Sequence, residues 1–214
     1  MKNHSISIPL IISIVSALCF LVLSFYIFNS DFTKFQQNTF NFIQQVRTPQ
    51  LNQLMLTLTK TSNTFSIITI TAIISGFLFF KKYYRESLFS LLCIISTVTT
   101  NIVLKHLYHR ERPSFEALIE ATGFSFPSGH SMISFSLALL LSYLCFHLIS
   151  KKWLAFFITL ISFSYAFLIG FSRVYISVHY VGDVLGGWLA TISVFSLLIY
   201  LFNLFHRYKK RNYS

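Results

Sequence analysis

Three stretches of the chain carry side chains whose types and spacing suit chemistry on an anion. KHLYHRERP sets Lys105 and Arg112 seven positions apart with Pro113 after them, PSGH runs from Pro127 to His130, and SRVYISVHYVGD holds Ser172, Arg173, His179 and Asp183. A guanidinium fork grips two oxygens and an ammonium acts as a point charge. Lys105, Arg112 and Arg173 can therefore neutralise the charge on the equatorial oxygens of a transferring phosphoryl group, a reaction in which catalysis is mostly positioning and neutralisation. His179 and Asp183 are four apart, so on a helix they share one face, and the carboxylate can hold the imidazole in the tautomer that bares its other nitrogen. That makes His179 the candidate nucleophile. His130 is then free to protonate the leaving oxygen and afterwards to activate water. Ser128, Gly129 and His130 open a helix whose unpaired N–H groups and positive dipole end suit an anion, with a glycine that lets a ligand approach the backbone.

Each of these residues has a plainer role when taken singly. Lys105 or Arg112 can anchor a helix end by snorkelling, Ser128 can be a simple N-cap, Asp183 can cap the last span, and a lone histidine is commonly a satisfied structural residue. Their convergence is what points to phosphoryl transfer. Metal-assisted chemistry needs several converging carboxylates or His/Cys ligands. Asp31, Glu111, Glu116, Glu120 and Asp183 show no DxD-like or HExxH spacing, so neither a metal nor another cofactor is expected. His106 and His109 are expected to face the interface or the lipid headgroups.

The elements that must position these residues are membrane helices. The 214 residues are 54% hydrophobic, 18% aromatic and only 11% charged, which excludes an ordinary soluble domain. A formal charge of +11 raises nucleic acid as a partner, but beside 25 Phe the basic residues are too few and scattered for a phosphate-tracking groove. The charge suits a lipid surface instead. Crossing a hydrocarbon core of about 30 Å takes about 20 apolar residues. Uncharged windows at residues 7–29, 61–80, 87–104, 131–150, 153–172 and 184–205 predict an all-α bundle of six transmembrane helices, in one domain over residues 1–214. The first window is longer than a signal-peptide core and has no A-x-A-like site after it, so it reads as an anchor. Cys19, Cys93 and Cys145 each lie in an apolar run and read as small core residues.

Lys2, then Lys81, Lys82 and Arg85, then Lys151 and Lys152, then Arg207, Lys209, Lys210 and Arg211 fall on one side of these spans. Short Lys/Arg-rich loops stay cytoplasmic. The termini are therefore expected in the cytoplasm, with the three polar clusters at the outer face of a cell membrane. Between the first two spans, Phe32, Phe35, Phe42, Ile43, Val46, Leu51, Leu54, Met55 and Leu58 recur at helical intervals among Gln, Asn and Thr. This amphipathic segment either lies in the outer interface or tucks onto the bundle.

The three motifs resemble the signature of the type 2 phosphatidic acid phosphatase family: Lys, six residues, Arg-Pro; Pro-Ser-Gly-His; Ser-Arg, five residues, His, three residues, Asp. Here they stand as Lys105, Arg112-Pro113, Pro127-Ser128-Gly129-His130, and Ser172-Arg173, His179, Asp183, without departure. The resemblance implies a metal-independent phosphatase in which His179 is phosphorylated transiently, Asp183 orients it, and His130 serves as acid and then base. It also implies that Lys105, Arg112, Arg173, Ser128 and the amides of Gly129 and His130 hold the phosphate. The family includes soluble acid phosphatases and vanadate-dependent haloperoxidases, which six hydrophobic spans argue against. A site at the ends of membrane helices suits a lipid phosphate, and bacterial members that act outside the cell make undecaprenyl diphosphate, cleaved to the monophosphate, the favoured expectation. Phosphatidylglycerophosphate, phosphatidate and diacylglycerol pyrophosphate are the alternatives, and the loop from His106 to Phe126 is expected to shape the choice. A transporter or flippase of an anionic lipid is the reading from another class. Against it, the charges cluster at one depth, and His147 is the one ionisable candidate for a relay within the spans.

Overall fold

The computed structural model describes residues 4–28 and 30–212, and among them eight helices and no strand. Lys2 lies outside the described residues, as do the side chains of Asp31, Lys209, Lys210 and Arg211. The helices are α1 (His4–Ile27), α2 (Ser30–Val46), α3 (Pro49–Thr61), α4 (Thr64–Phe80), α5 (Tyr84–Tyr108), α6 (Gly129–Leu148), α7 (Lys152–Tyr175) and α8 (Val181–Asn212). Five of them, α1, α5, α6, α7 and α8, are long and apolar enough to cross a bilayer alone.

The expected second span differs. It begins at Thr64 rather than residue 61, because Asn63 Oδ1 accepts from Ser66 N at 2.8 Å and caps α4 there. The 17 residues of α4 reach only about 25 Å at about 1.5 Å per residue. α3 and α4, bent by 48° at the break between them, are long and apolar enough only when taken together, as a broken span or a re-entrant loop, so the described residues hold five spans, or six if that pair is one. The amphipathic stretch at residues 31–60 is divided between two helices, α2 and α3. Pro49 cannot continue α2, and Thr48 Oγ1 accepts from Leu51 N at 3.2 Å to start α3. The two helices turn Phe40, Ile43 and Met55 into a core cluster with Val174, Tyr175, Ile176 and Val178, while Phe35, Phe42 and Leu54 are exposed.

α6 is the central helix, touching α4, α5, α7 and α8, and α1 lies along α8. Lipid tails are as apolar as leucine, so helix association in a bilayer draws on close packing and interhelical hydrogen bonds. Small hydroxyl residues supply both here. Ser136 on α6 meets Thr97 on α5 at 2.9 Å, Ser75 and Ser87 join α4 to α5 at 2.8 Å, and Ser193 on α8 donates to the Ser13 carbonyl on α1 at 3.0 Å. Each such bond is worth about 0.6 kcal/mol. Gly186 allows a closer approach still: a Cβ there would stand 2.4 Å from the buried Phe126 ring, which leads directly into Pro127 and Ser128.

Of the three cysteines only Cys93 is a core residue. Cys145 is half-buried and Cys19 is exposed, because α1 flanks the bundle and turns that side away from it. His147 sits in the last turn of α6, with Nδ1 at 2.8 Å from the Tyr143 carbonyl, and not near the middle of a span.

Candidate active site

Successive membrane helices run antiparallel, so the ends of α5 and α7 and the starts of α6 and α8 fall at one end of the bundle. The break between α3 and α4 falls there too. These parts enclose a cavity of about 470 Å³ whose wall includes Lys105, Arg112, Gly129, His130, Arg173 and His179. All three sequence stretches thus meet in one place, and the two imidazoles look into the same space. Ser128 and Asp183 are not in the wall. Both are fully buried behind it, joined by a bond from Ser128 N to the Asp183 carbonyl at 3.0 Å. Ser128 Oγ makes no cap bond and accepts from Ser131 Oγ at 2.9 Å.

His179 does not lie on a helix with Asp183. It sits in the turn between α7 and α8, where Val178 N and His179 N both donate to the Arg173 carbonyl and Ser177 takes φ +59°. The four-residue spacing works for a different reason. Asp183 is the third residue of α8, and its Oδ2 reaches back to accept from Tyr180 N at 2.9 Å, as the acidic member of a capping box does. The same oxygen faces His179 Nδ1 at 3.3 Å. The capping role and the orienting role are therefore one geometry. With Nδ1 directed at the carboxylate, Nε2 is the bared nitrogen, and it lies 3.4 Å from Arg112 Nη1. Burial drives the His179 imidazole down to about 4, against the opposite pull of the Asp183 hydrogen bond and charge. At neutral pH the ring is uncharged, as a nucleophile requires.

The two guanidinium groups are held differently. Arg112 spends much of its fork on backbone: Nε donates to Gly123 O at 3.0 Å, Nη2 to Thr122 O at 2.8 Å and Nη1 to Val178 O at 2.9 Å. It fastens the α5–α6 loop to the His179 turn, and burial lowers its proton affinity. Arg173 is 4% exposed, with Nη1 donating to Thr59 Oγ1 at 2.6 Å. Its Nε is buried with no partner among the described residues, an orphan donor beside a polar cavity. A buried polar N–H without a partner is costly, and an anion in the cavity would satisfy it.

Several residues of the site carry no signal in the spacing of the motifs. Arg110 Nη1 donates to Asp183 Oδ1, and its Nη2 donates to Gln36 Oε1 on α2 at 2.9 Å. Asn101 Nδ2 donates to Pro127 O at 3.1 Å, and the Asn101 side chain sits 3.0 Å from where a Cβ on Gly129 would be. Thr59 comes from α3. Arg47, at the α2–α3 break, donates to Glu116 O, Tyr175 O and Ser177 Oγ at 3.0, 2.9 and 2.8 Å. One hint was available in the sequence: a buried carboxylate paired only with a neutral imidazole lacks a counter-charge, and Arg110 is the spare cation of the first motif. His106 and His109 are exposed and stay out of the cavity wall, their rings meeting Phe124. Among the described residues no three His, Cys, Asp or Glu side chains gather as a metal site would require.

Residues 86–207 match the family model described as the PAP2 superfamily. A phosphatidylglycerophosphatase B of Bacillus subtilis is 35% identical over 161 residues, covering 72% of this chain and 76% of that protein. An undecaprenyl-diphosphatase of Sulfolobus acidocaldarius is 29% identical over 181 residues, 80% of this chain and 82% of its own. The crystal structure of a transmembrane PAP2-type phosphatidylglycerolphosphate phosphatase from Bacillus subtilis superposes with a TM-score of 0.79 at 30% identity, covering 94% of this chain and 98% of that one.

Proposed function

The chain belongs to the PAP2 superfamily, and we propose that it removes phosphate from a lipid phosphate or diphosphate by way of a phosphohistidine on His179. The observation that carries this reading is the cavity itself, in which an imidazole backed by a carboxylate at Nδ1, a second imidazole and three basic side chains surround one space. His179 Nε2 attacks phosphorus while the bond to the leaving oxygen breaks, and His130 delivers a proton to that oxygen. His130, now neutral, takes a proton from water as the water attacks phosphorus, and the N–P electron pair returns to Nε2. Lys105, Arg112, Arg173 and the α6 start at Gly129 and His130 neutralise the equatorial oxygens, with Ser128 backing that start from behind the wall. Asp183 holds His179. No step is assigned to a metal, since the side chains around the cavity do not make up a ligand set for one. The whole of residues 1–214 acts as one domain, because α1, α2 and α3 all pack against the helices that hold the site.

Phosphatidylglycerophosphate is the substrate favoured by the Bacillus subtilis relative and by the superposed structure. Undecaprenyl diphosphate, the expectation from the sequence, is the second reading, and the Sulfolobus acidocaldarius relative favours it. In either case the cavity end faces out of the cytoplasm. Lys81, Lys82, Arg85, Lys151 and Lys152 all lie at the turns of the opposite end, where basic loops are retained in the cytoplasm. The test is phosphate release by the purified protein in detergent, with a chelator present, from a panel of both lipids and phosphatidate. Wild type is expected to turn over, and His179→Ala to be nearly inactive. Turnover that vanishes with chelator and survives His179→Ala overturns the mechanism; movement of an anionic lipid without phosphate release points to a transporter instead.

A further inference from the structure

We infer that Arg110 and Gln36 position the Asp183–His179 pair, so that α2 takes part in keeping His179 Nε2 aimed into the cavity. The inference rests on His179 being the nucleophile and goes beyond that reading in naming what sets its orientation. Arg110 follows α5 directly, after His109 ends the helix in a left-handed conformation at φ 46°. Its Nη1 donates to Asp183 Oδ1, its Nη2 donates to Gln36 Oε1 at 2.9 Å, and its guanidinium lies 4.2 Å from the centre of the Tyr180 ring. The Arg110 side chain is 10% exposed, Asp183 is 0% exposed and Gln36 is 3% exposed.

Burying a carboxylate is expensive unless an opposite charge accompanies it. A neutral His179 does not supply that charge, and Arg110 does. By occupying Oδ1 it leaves only Oδ2 for His179 Nδ1 and Tyr180 N, which fixes the rotation of the carboxylate and through it the tautomer of the ring. Gln36 occupies the second arm of the fork. With the Tyr180 ring beneath, it stops the guanidinium from swinging away from Asp183. The chain of contacts from the lead-in helix to the reacting nitrogen has three links: Gln36, Arg110 and Asp183. A residue that acts through others in this way is a positioning residue.

The charged and titratable groups around His179 are Asp183, Arg112, Arg173 and His130, with Lys105 in the same cavity wall; Arg110 itself faces Asp183 and the Tyr180 ring, on which Glu111 also acts. All but Asp183 and Glu111 are positive or neutral, so deleting the Arg110 charge eases proton uptake by the His179–Asp183 pair. The acid limb of kcat/KM must then move to higher pH. The experiment compares Arg110→Gln, Arg110→Lys and Gln36→Glu with wild type in detergent, on a lipid phosphate that wild type hydrolyses, with His179→Ala as the blank. Arg110→Gln is expected to lower kcat roughly 100-fold with KM within about threefold, and to raise the acid limb by about one pH unit. Arg110→Lys keeps the charge and should return the limb to its wild-type position at reduced kcat. Gln36→Glu gives Arg110 a competing carboxylate and should raise the limb by a smaller amount. A merely structural role would lower folded yield or kcat with every limb unmoved, and that result overturns the inference. If Arg110→Gln fails to fold, Gln36→Glu decides alone, an unmoved limb again overturning it. An active His179→Ala would instead sink the nucleophile assignment, whatever the Arg110 variants do.

Discussion

Asp183→Asn removes a charge while keeping a side chain of the same size. In the native site Oδ2 accepts from Tyr180 N at 2.9 Å and faces His179 Nδ1 at 3.3 Å, and Oδ1 accepts from Arg110. An amide has one oxygen to offer. If that oxygen stays on Arg110, the NH₂ group confronts the Tyr180 N–H, and His179 must present Nδ1 as an acceptor, which moves its proton onto Nε2. If the oxygen turns the other way, the NH₂ group meets the Arg110 guanidinium at a position with no exposed surface. The ion pair is lost either way, but only the first arrangement leaves the buried Arg110 guanidinium an oxygen to donate to, and a charge-assisted hydrogen bond outweighs a neutral one, so it is the lower in energy. The nitrogen proposed to attack phosphorus is then protonated. In a Ser-His-Asp triad the equivalent loss of tautomer control lowers kcat by about 10⁴. Here kcat is expected to fall roughly 10³- to 10⁴-fold, about 4–5.5 kcal/mol of barrier, with KM within about threefold. Single-turnover phosphate release from a lipid phosphate measures this, with thermal unfolding followed in parallel because Arg110 loses its ionic partner. A variant that keeps kcat within about tenfold of wild type at an unchanged Tm would refute the tautomer argument.

Two further outcomes follow from the same geometry. Burial holds the His179 imidazole at about 4 rather than its usual 6.5, and only the neutral ring can attack, so His179 should limit kcat/KM only as the pH falls through about 4. After correction for the substrate's own ionisation at about pH 6, a remaining acid limb at the ordinary histidine value would contradict this. Arg173→Lys keeps the charge but loses the buried Nε that lacks a partner and the fork that grips Thr59. Orthovanadate, added as a phosphate-shaped probe, should bind about 10- to 100-fold more weakly, as expected for one lost charge-assisted hydrogen bond of about 1.5–3 kcal/mol; an unchanged vanadate-induced thermal shift would show that Arg173 does not face the anion.

The residue types and the helical architecture were legible in the sequence because both are local properties. A run of about 20 apolar residues satisfies its backbone within itself, so the long passes stand near where the uncharged windows place them. Antiparallel succession then brings the ends of α5 and α7 and the starts of α6 and α8 together, which is why Lys105, Arg112, His130, Arg173 and His179 share one cavity. Short-range signals also misled. The four-residue spacing of His179 and Asp183 suggested a common helix face, whereas a turn followed by a capping carboxylate produces the same contact. Asn63 caps α4 and moves the start expected at residue 61 to Thr64, and Pro49 divides the amphipathic segment into α2 and α3.

What only the tertiary structure decided is how the charges are partnered. Arg110 finds Asp183 at a separation of 73 residues and Gln36 at 74, and Arg173 finds Thr59 at 114. No periodicity encodes such pairs. A buried charge must be matched by whatever group the packing of α2, α3 and the α5–α6 loop delivers to it, so its partner is set by the fold as a whole and not by its neighbours in the chain.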